Sequence, residues 1–195
     1  MSKAKTILVG VTGSIAAYKA GDLIRRLKER SYAVSVVMTQ EAEKFISPLT
    51  LASLCGQKVY RDLFEDDQSA GPPANSTDDR RAGMPHIALA EQADVFLIAP
   101  ATAHVIGKIA GGLADDLLSC IALATRAPII MAPAMNDGMY QNRIVQQNIR
   151  KLKSLGIKFV EPTQGSLACG TFGEGHLAEI EDILKAVDEA VYSPG

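Results

Sequence analysis

The chain has 195 residues, 47% of them hydrophobic, with 20 Lys and Arg against 22 Asp and Glu and a formal net charge of −2. That length supports one domain with a substantial buried core, while the near balance of charge, with basic residues scattered and not gathered in a stripe, argues against nucleic acid as the main partner. No apolar run approaches the ~20 residues that cross a bilayer, and Met1-Ser2-Lys3-Ala4-Lys5 leads directly into a strand-like stretch instead of a signal peptide, so the expected compartment is the cytoplasm.

Thr6-Ile7-Leu8-Val9-Gly10-Val11, an apolar run rich in β-branched residues and bounded by Gly13, predicts a buried parallel strand. Leu23, Ile24 and Leu27 recur at helical spacing among Asp22, Arg25, Arg26 and Lys28, which predicts an amphipathic helix over 15–30. Further strands are predicted over 34–38, 95–99 and 129–132, with a largely buried helix over 103–124 between the last two. A helix over 142–155, apolar at Ile144, Val145, Ile149 and Leu152, is ended by Gly156; a last short strand follows over 158–160, and a helix over 180–191 closes the chain. The stretch 65–85, with Asp66-Asp67, Gly71-Pro72-Pro73 and Asp78-Asp79-Arg80-Arg81, is too polar to pack and is predicted to be a mobile surface loop inside one domain spanning 1–195. Strands alternating with helices predict an α/β fold: a doubly wound parallel sheet in three α/β/α layers, flavodoxin-like or Rossmann-like.

In such a sheet the ligand crevice lies at the carboxyl ends of the strands. Those ends here carry Thr12-Gly13-Ser14, Thr39, Pro100-Ala101-Thr102-Ala103 and Pro133-Ala134. Small and hydroxylic residues at helix starts suit a phosphate and the close approach of a flat ring. Gly10-Val11-Thr12-Gly13-Ser14 is not the complete G-x-G-x-x-G fingerprint, which favours a mononucleotide over NAD, with an ordinary packing turn as the alternative.

Three cysteines without paired Cys/His spacing predict neither a disulfide framework nor a zinc site, so each thiol is judged separately. Cys55 and Cys120 sit in apolar settings and read as inert fillers. Cys169 instead lies in a glycine-rich run with Gly170, Gly173 and Gly175, whose conformational freedom suits a flap closing on a ligand. His86, after Pro85, falls at an element boundary where an imidazole can serve as a base or hold a carboxylate, or remain a solvated loop histidine. Asn136 offers uncharged donors and an acceptor suited to gripping a carboxylate, and forming the turn Met135-Asn136-Asp137-Gly138 is its alternative role. Tyr140 places a ring that can pack against a ligand.

Pro133-Ala134-Met135-Asn136, Gly165 to Gly175 with Ala168-Cys169-Gly170, Gly13 to Lys19, His86-Ile87 and Ala99 to Ala103 together resemble the flavin-containing cysteine decarboxylases over nearly the whole chain. The resemblance implies FMN as cofactor, held by Gly13, Ser14, Ile15, Thr39, Ala101, Thr102, Ala103 and His104. It implies catalytic roles for Cys169, His86 and Asn136, and substrate contacts from Asn136, Met139, Ala168 and Cys169. Many members have Asn at the position of His104 and Arg at that of His176, so only a backbone contact is carried over to the first and no anion contact to the second.

The branch most resembled decarboxylates 4'-phosphopantothenoylcysteine to 4'-phosphopantetheine in coenzyme A biosynthesis. The implied course is oxidation of the substrate thiol to a thioaldehyde, loss of carbon dioxide to a delocalised enethiolate, and re-reduction with Cys169 giving the proton. The resemblance also implies a homotrimer or a dodecamer of trimers with the flavin site between subunits, and fusion to or cooperation with a phosphopantothenate-cysteine ligase. Other readings are a peptidyl-cysteine decarboxylase, which shares the mechanism; a flavin prenyltransferase, which would lack the Cys169 lid; and a non-catalytic flavoprotein that inhibits a partner. The joint presence of His86, Asn136 and Cys169 speaks against the last.

Overall fold

The computed structural model describes residues 4–63, 85–166 and 172–192. The segment expected to be a mobile loop lies, up to residue 84, outside the described residues, as do Ala168 and Cys169.

Strand β1 (Thr6–Val11) runs into a 3-10 turn (Ile15–Lys19) and then helix α1 (Ala20–Glu29). The predicted helix over 15–30 therefore begins with a tighter turn, in which Ser14 Oγ accepts the backbone N–H of Ala16 at 3.3 Å. Next come β2 (Ala33–Met38), α2 (Pro48–Cys55) and β3 (Val59–Tyr60). The second half holds α3 (Pro85–Gln92), β4 (Val95–Ala101), α4 (Ala103–Gly111), α5 (Leu117–Ala124) and β5 (Ile129–Pro133). After it follow the short α6 (Asp137–Tyr140), α7 (Arg143–Ser154) and β6 (Lys158–Phe159). Strands β7 (Thr163–Ser166) and β8 (Phe172–His176) pair antiparallel, and α8 (Ile180–Tyr192) packs back on the sheet.

The main sheet has six strands in the order β3-β2-β1-β4-β5-β6, all pairs parallel. This is the Rossmann order, in which successive strands step outward from β1 on one side and from β4 on the other. Alternate residues of each strand serve opposite layers. Ile7, Val9, Val11, Val34 and Val36 pack against Leu23, Ile24 and Leu27 of α1, Leu51 of α2 and Ile183 and Leu184 of α8. Leu8, Val37, Phe96, Ile98 and Met131 face Leu89, Ile106, Ile121 and Ile149 from α3, α4, α5 and α7. Each such fully buried side chain contributes about 1.5–3 kcal/mol, so these two clusters hold the layers together. Among the described residues no helix is long and apolar enough to cross a membrane.

The single helix expected over 103–124 is two helices. Gly112 adopts φ +70°, a left-handed backbone that ends α4, and Asp116 starts α5 by accepting the Ser119 N–H at 2.7 Å. Tyr140 is a core residue and not part of a ligand wall: it is 7% exposed, and its hydroxyl donates to Glu161 Oε2 at 2.7 Å. Cys55 is buried, and Cys120 is half-buried with its thiol directed at the Ala114 carbonyl at 3.3 Å. Burial first, then the carboxylates of Asp116 and Asp115, push the Cys120 thiol up, in keeping with an inert filler.

Candidate functional site

Because the strand order reverses between β1 and β4, the loops leaving those two strands diverge to opposite faces and open a crevice between them. A cavity of ≈ 490 Å³ lies there, walled by Thr12–Ala16 from the β1 loop, Thr39 and Glu41 after β2, Thr102–Val105 after β4, Ala134–Asn136 after β5, and Met139, Asp116 and Gly175–Leu177.

Thr12 ties the first two walls together. Only 1% exposed, it donates its hydroxyl to the Pro100 carbonyl at 2.6 Å and accepts the Thr102 N–H at 3.2 Å. Pro100 has no N–H for the ladder, and the pairing of β4 with β5 shifts register between Ile98 and Ala101, so the Thr12 hydroxyl holds a stretch that sheet bonding leaves irregular. Thr102 in turn caps α4 by accepting the Val105 N–H. At Gly13 a methyl group would overlap Cβ of Glu41, so only glycine lets the β1 loop approach the turn after β2. Thr39 is 7% exposed, and its hydroxyl oxygen is buried with no hydrogen-bond partner among the described residues.

On the opposite wall, Asn136 caps α6, its Oδ1 accepting the Gly138 N–H at 2.9 Å. The turn role and the cavity position thus coincide in one residue. The Met135 N–H donates to the Gly175 carbonyl at 3.0 Å, which fastens this turn to β8. At Gly173 a methyl carbon would stand 2.7 Å from Cβ of Asp137, and at Gly175, where φ is +150°, it would overlap the Met135 carbonyl oxygen. These glycines serve close strand-to-turn packing, in addition to the freedom expected of the run around Cys169.

Asp116 closes the floor. Lys108 bridges Asp115, at 2.7 Å, and Asp116. Burial raises the Asp116 carboxyl, but hydrogen bonds from Lys108 and Ser119 outweigh it and hold the group below the usual carboxylate value. Glu41 and Asp116 were not anticipated as cavity residues. Asp116 had a legible signal, an Asp immediately before the apolar run Leu117-Leu118, whereas Glu41 had none.

Of the residues singled out in the sequence, Gly13, Ser14, Ile15, Thr39, Thr102, Ala103, His104, Asn136 and Met139 line this one cavity. Ala101 does not; it is fully buried, and its carbonyl accepts the Ala134 N–H at 3.1 Å. His86, on the first turn of α3, is also absent from the wall, and its Nδ1 is buried without a hydrogen-bond partner among the described residues. Ala168 and Cys169 lie between β7 and β8 in sequence, outside the described residues.

The flavoprotein family model matches residues 1–192. The chain belongs to the flavoprotein family. It is 43% identical over 187 residues to a probable phosphopantothenoylcysteine decarboxylase of Streptococcus mutans, covering 95% of this chain and 98% of that one. It is 44% identical over 185 residues to the coenzyme A biosynthesis bifunctional protein CoaBC of Haemophilus influenzae, covering 95% of this chain but 43% of that protein; the chain thus spans less than half the length of that flavoprotein relative. Among solved structures, a mutant PPC decarboxylase carrying serine for cysteine, complexed with pantothenoylaminoethenethiol, superposes with a TM-score of 0.82 at 34% identity, covering 98% of this chain and 100% of that one.

Proposed function

We propose that this flavoprotein is an FMN-dependent decarboxylase that converts 4'-phosphopantothenoylcysteine to 4'-phosphopantetheine. The observation that carries the reading is the convergence on one cavity of the flavin-suited turns, Thr12–Ser14, Thr39 and Thr102–His104, with the Asn136 and Met139 wall.

The residues present fit a flavin mononucleotide. Thr39 lines the crevice, and its buried hydroxyl oxygen has no partner among the described residues; a group so placed is satisfied by a ligand polar atom. Gly13, Ser14 and Ile15 would hold the cofactor from the β1 side, and Thr102, Ala103 and His104 from the β4 side. Bound FMN supplies the two-electron oxidation of the substrate thiol and the later return of a hydride, which places a C=S group β to the carboxylate.

What the chain itself does is grip, desolvate and protonate. Asn136, with Oδ1 committed to its own turn, aims its amide wherever the clamp to β8 holds that turn, and an uncharged N–H donor orients a carboxylate without stabilising its charge so strongly that it resists leaving. Met139, half exposed at the same wall, provides an apolar surface that excludes water from the reacting carbon. Cys169 gives a proton to carbon during re-reduction. An enethiol-bearing compound bound to a relative with serine in place of cysteine supports this order, since a cysteine acting after decarboxylation leaves that species when removed.

His86 does not line the cavity among the described residues, so its part in the site is assigned to a neighbouring copy in a homotrimer or a dodecamer of trimers. A phosphopantothenate-cysteine ligase, fused or separate, would supply the substrate, and the compartment is the cytoplasm. The test is incubation of FMN-loaded protein with 4'-phosphopantothenoylcysteine and mass spectrometry of the products. Appearance of 4'-phosphopantetheine with loss of carbon dioxide is expected; flavin-bound protein without turnover refutes the assignment.

A further inference from the structure

The cavity wall carries two carboxylates, Glu41 and Asp116, and two imidazoles, His104 and His176, with no Lys or Arg among its described lining residues. Lys108 does not change this balance. It lies beside an adjoining cavity of ≈ 250 Å³, paired with Asp115 and Asp116, and is not part of the flavin-suited wall. Resting on the decarboxylase reading above, the ligands of this wall include two phosphomonoesters, the FMN tail and the 4'-phosphate of the substrate. A phosphate needs convergent N–H donors, and it binds most strongly where one of them carries positive charge. Only the two histidines can supply such a side chain from the described wall.

Of these, His176 is the better held. It is half-buried on β8, and its ring lies over Gly165 of β7, where a methyl carbon would come within 3.0 Å of Cδ2 and 3.2 Å of Nε2. The preceding residue, Gly175, is fastened to Met135. The imidazole therefore stands on a hairpin locked to the turn that presents Asn136. His104, on the first turn of α4, is exposed.

We propose that His176 is the phosphomonoester-recognition residue of this cavity, with His104 a secondary contact. The protein discriminates phosphorylated from unphosphorylated ligand through these imidazoles.

The experiment compares ratios. The flavin-depleted chain is titrated with FMN and with riboflavin, and the FMN-loaded enzyme is assayed with 4'-phosphopantothenoylcysteine and with pantothenoylcysteine. In His176→Gln, the preference for the phosphorylated member of one pair falls by about tenfold or more, the loss of one charge-assisted hydrogen bond. His176→Arg, which supplies a guanidinium donor in its place, retains the preference. A fall in the flavin ratio assigns His176 to the cofactor phosphate, and a fall in the kcat/KM ratio assigns it to the substrate phosphate. Both ratios unchanged in His176→Gln overturn the proposal, and because each is a ratio on one variant, general damage to the fold does not mimic the effect. A wild-type chain that binds neither flavin would instead remove the cofactor reading, and this assignment with it.

Discussion

The backbone N–H of Met135 donates to the carbonyl of Gly175 at 3.0 Å, so the turn that presents Asn136 is held by β8 and not by its own strand alone. The approach is close enough that a methyl group at 175 would collide with the Met135 carbonyl, and φ at that glycine is +150°, a conformation that side-chain-bearing residues rarely adopt. Gly175→Ala is therefore expected to be destabilised by about 2 kcal/mol or more, with backbone strain and overlap acting together. Because the displaced element is the Asn136 turn, the surviving folded fraction should show a raised KM for substrate while flavin binding changes little. Thermal unfolding together with a substrate titration checks this, and a wild-type-like melting curve refutes it.

Thr12 has a comparable role on the other wall. Replacement by Val keeps the shape but leaves the Pro100 carbonyl and the Thr102 N–H without their partner. A buried polar group deprived of its bond costs about 1–3 kcal/mol. Thr12→Val should lower stability by that order and weaken FMN binding, because the turns before the first 3-10 segment and before α4 would no longer be fixed to each other. Thr12→Ser keeps the hydroxyl and should behave nearly as wild type. Urea denaturation and flavin fluorescence quenching separate the two variants.

Most of this scaffold was legible because the relevant signals are local. The helix over 143–154 shows both ends in sequence, with Asn142 as cap and Gly156 in a left-handed turn. The helix over 103–124 was misread because apolar residues continue past Gly111-Gly112, and only the left-handed Gly112 and the Asp116 cap divide it. Ser47 before Pro48, with Gly56 beyond, marks α2 by the same capping logic, yet the segment is short and its apolar residues follow no clear stripe. The β7–β8 hairpin was hidden by its glycines, which read as freedom when two of them are required by tertiary packing against Met135 and Asp137. In the site, residues at strand ends could be anticipated from sheet topology alone. Asp116 carried a capping signal but nothing that pointed to the cavity, Glu41 carried none, and His86 does not line the cavity among the described residues.

The floor of the cavity makes a pH-dependent prediction. Asp116 is held below its ordinary value in the folded protein, so its carboxylate contributes stability that is present above the unfolded-state value, near 3.9 for an aspartate, and is lost as pH falls through the lower folded value. Asn is as good a helix cap as Asp, so Asp116→Asn removes the charge while leaving the cap to Ser119. The variant should be less stable than wild type at pH 7, and the gap should close as pH falls below about 4. Urea midpoints measured between pH 3 and pH 7 report this directly. A gap that is constant over the range would mean that the Lys108 pairing adds nothing and that only the shape of the cap matters.

Asn136 and Cys169 are expected to fail at different stages, and the difference tests the order of steps. Removing the Asn136 amide deprives the carboxylate of an orienting donor before carbon dioxide leaves. The same change uncaps α6, whose Gly138 N–H bonds to that side chain, so Asn136→Ala should release little carbon dioxide, with kcat/KM lower by about 10- to 100-fold for a lost hydrogen bond to a charged group. Asn136→Asp keeps a capping oxygen but sets a negative charge against the substrate carboxylate, and should be no better than Ala. That outcome would separate the ligand contact from the cap. Cys169→Ser should still release carbon dioxide but stop before reduction, because a hydroxyl is a far weaker acid than a thiol, and the oxidised enethiol should accumulate in near-stoichiometric amount with enzyme. Time-resolved carbon dioxide release and mass spectrometry of the quenched mixture distinguish the two. Full turnover by Cys169→Ser would take the cysteine out of the proton transfer, and accumulation of enethiol in Asn136→Ala would move the asparagine to a later step.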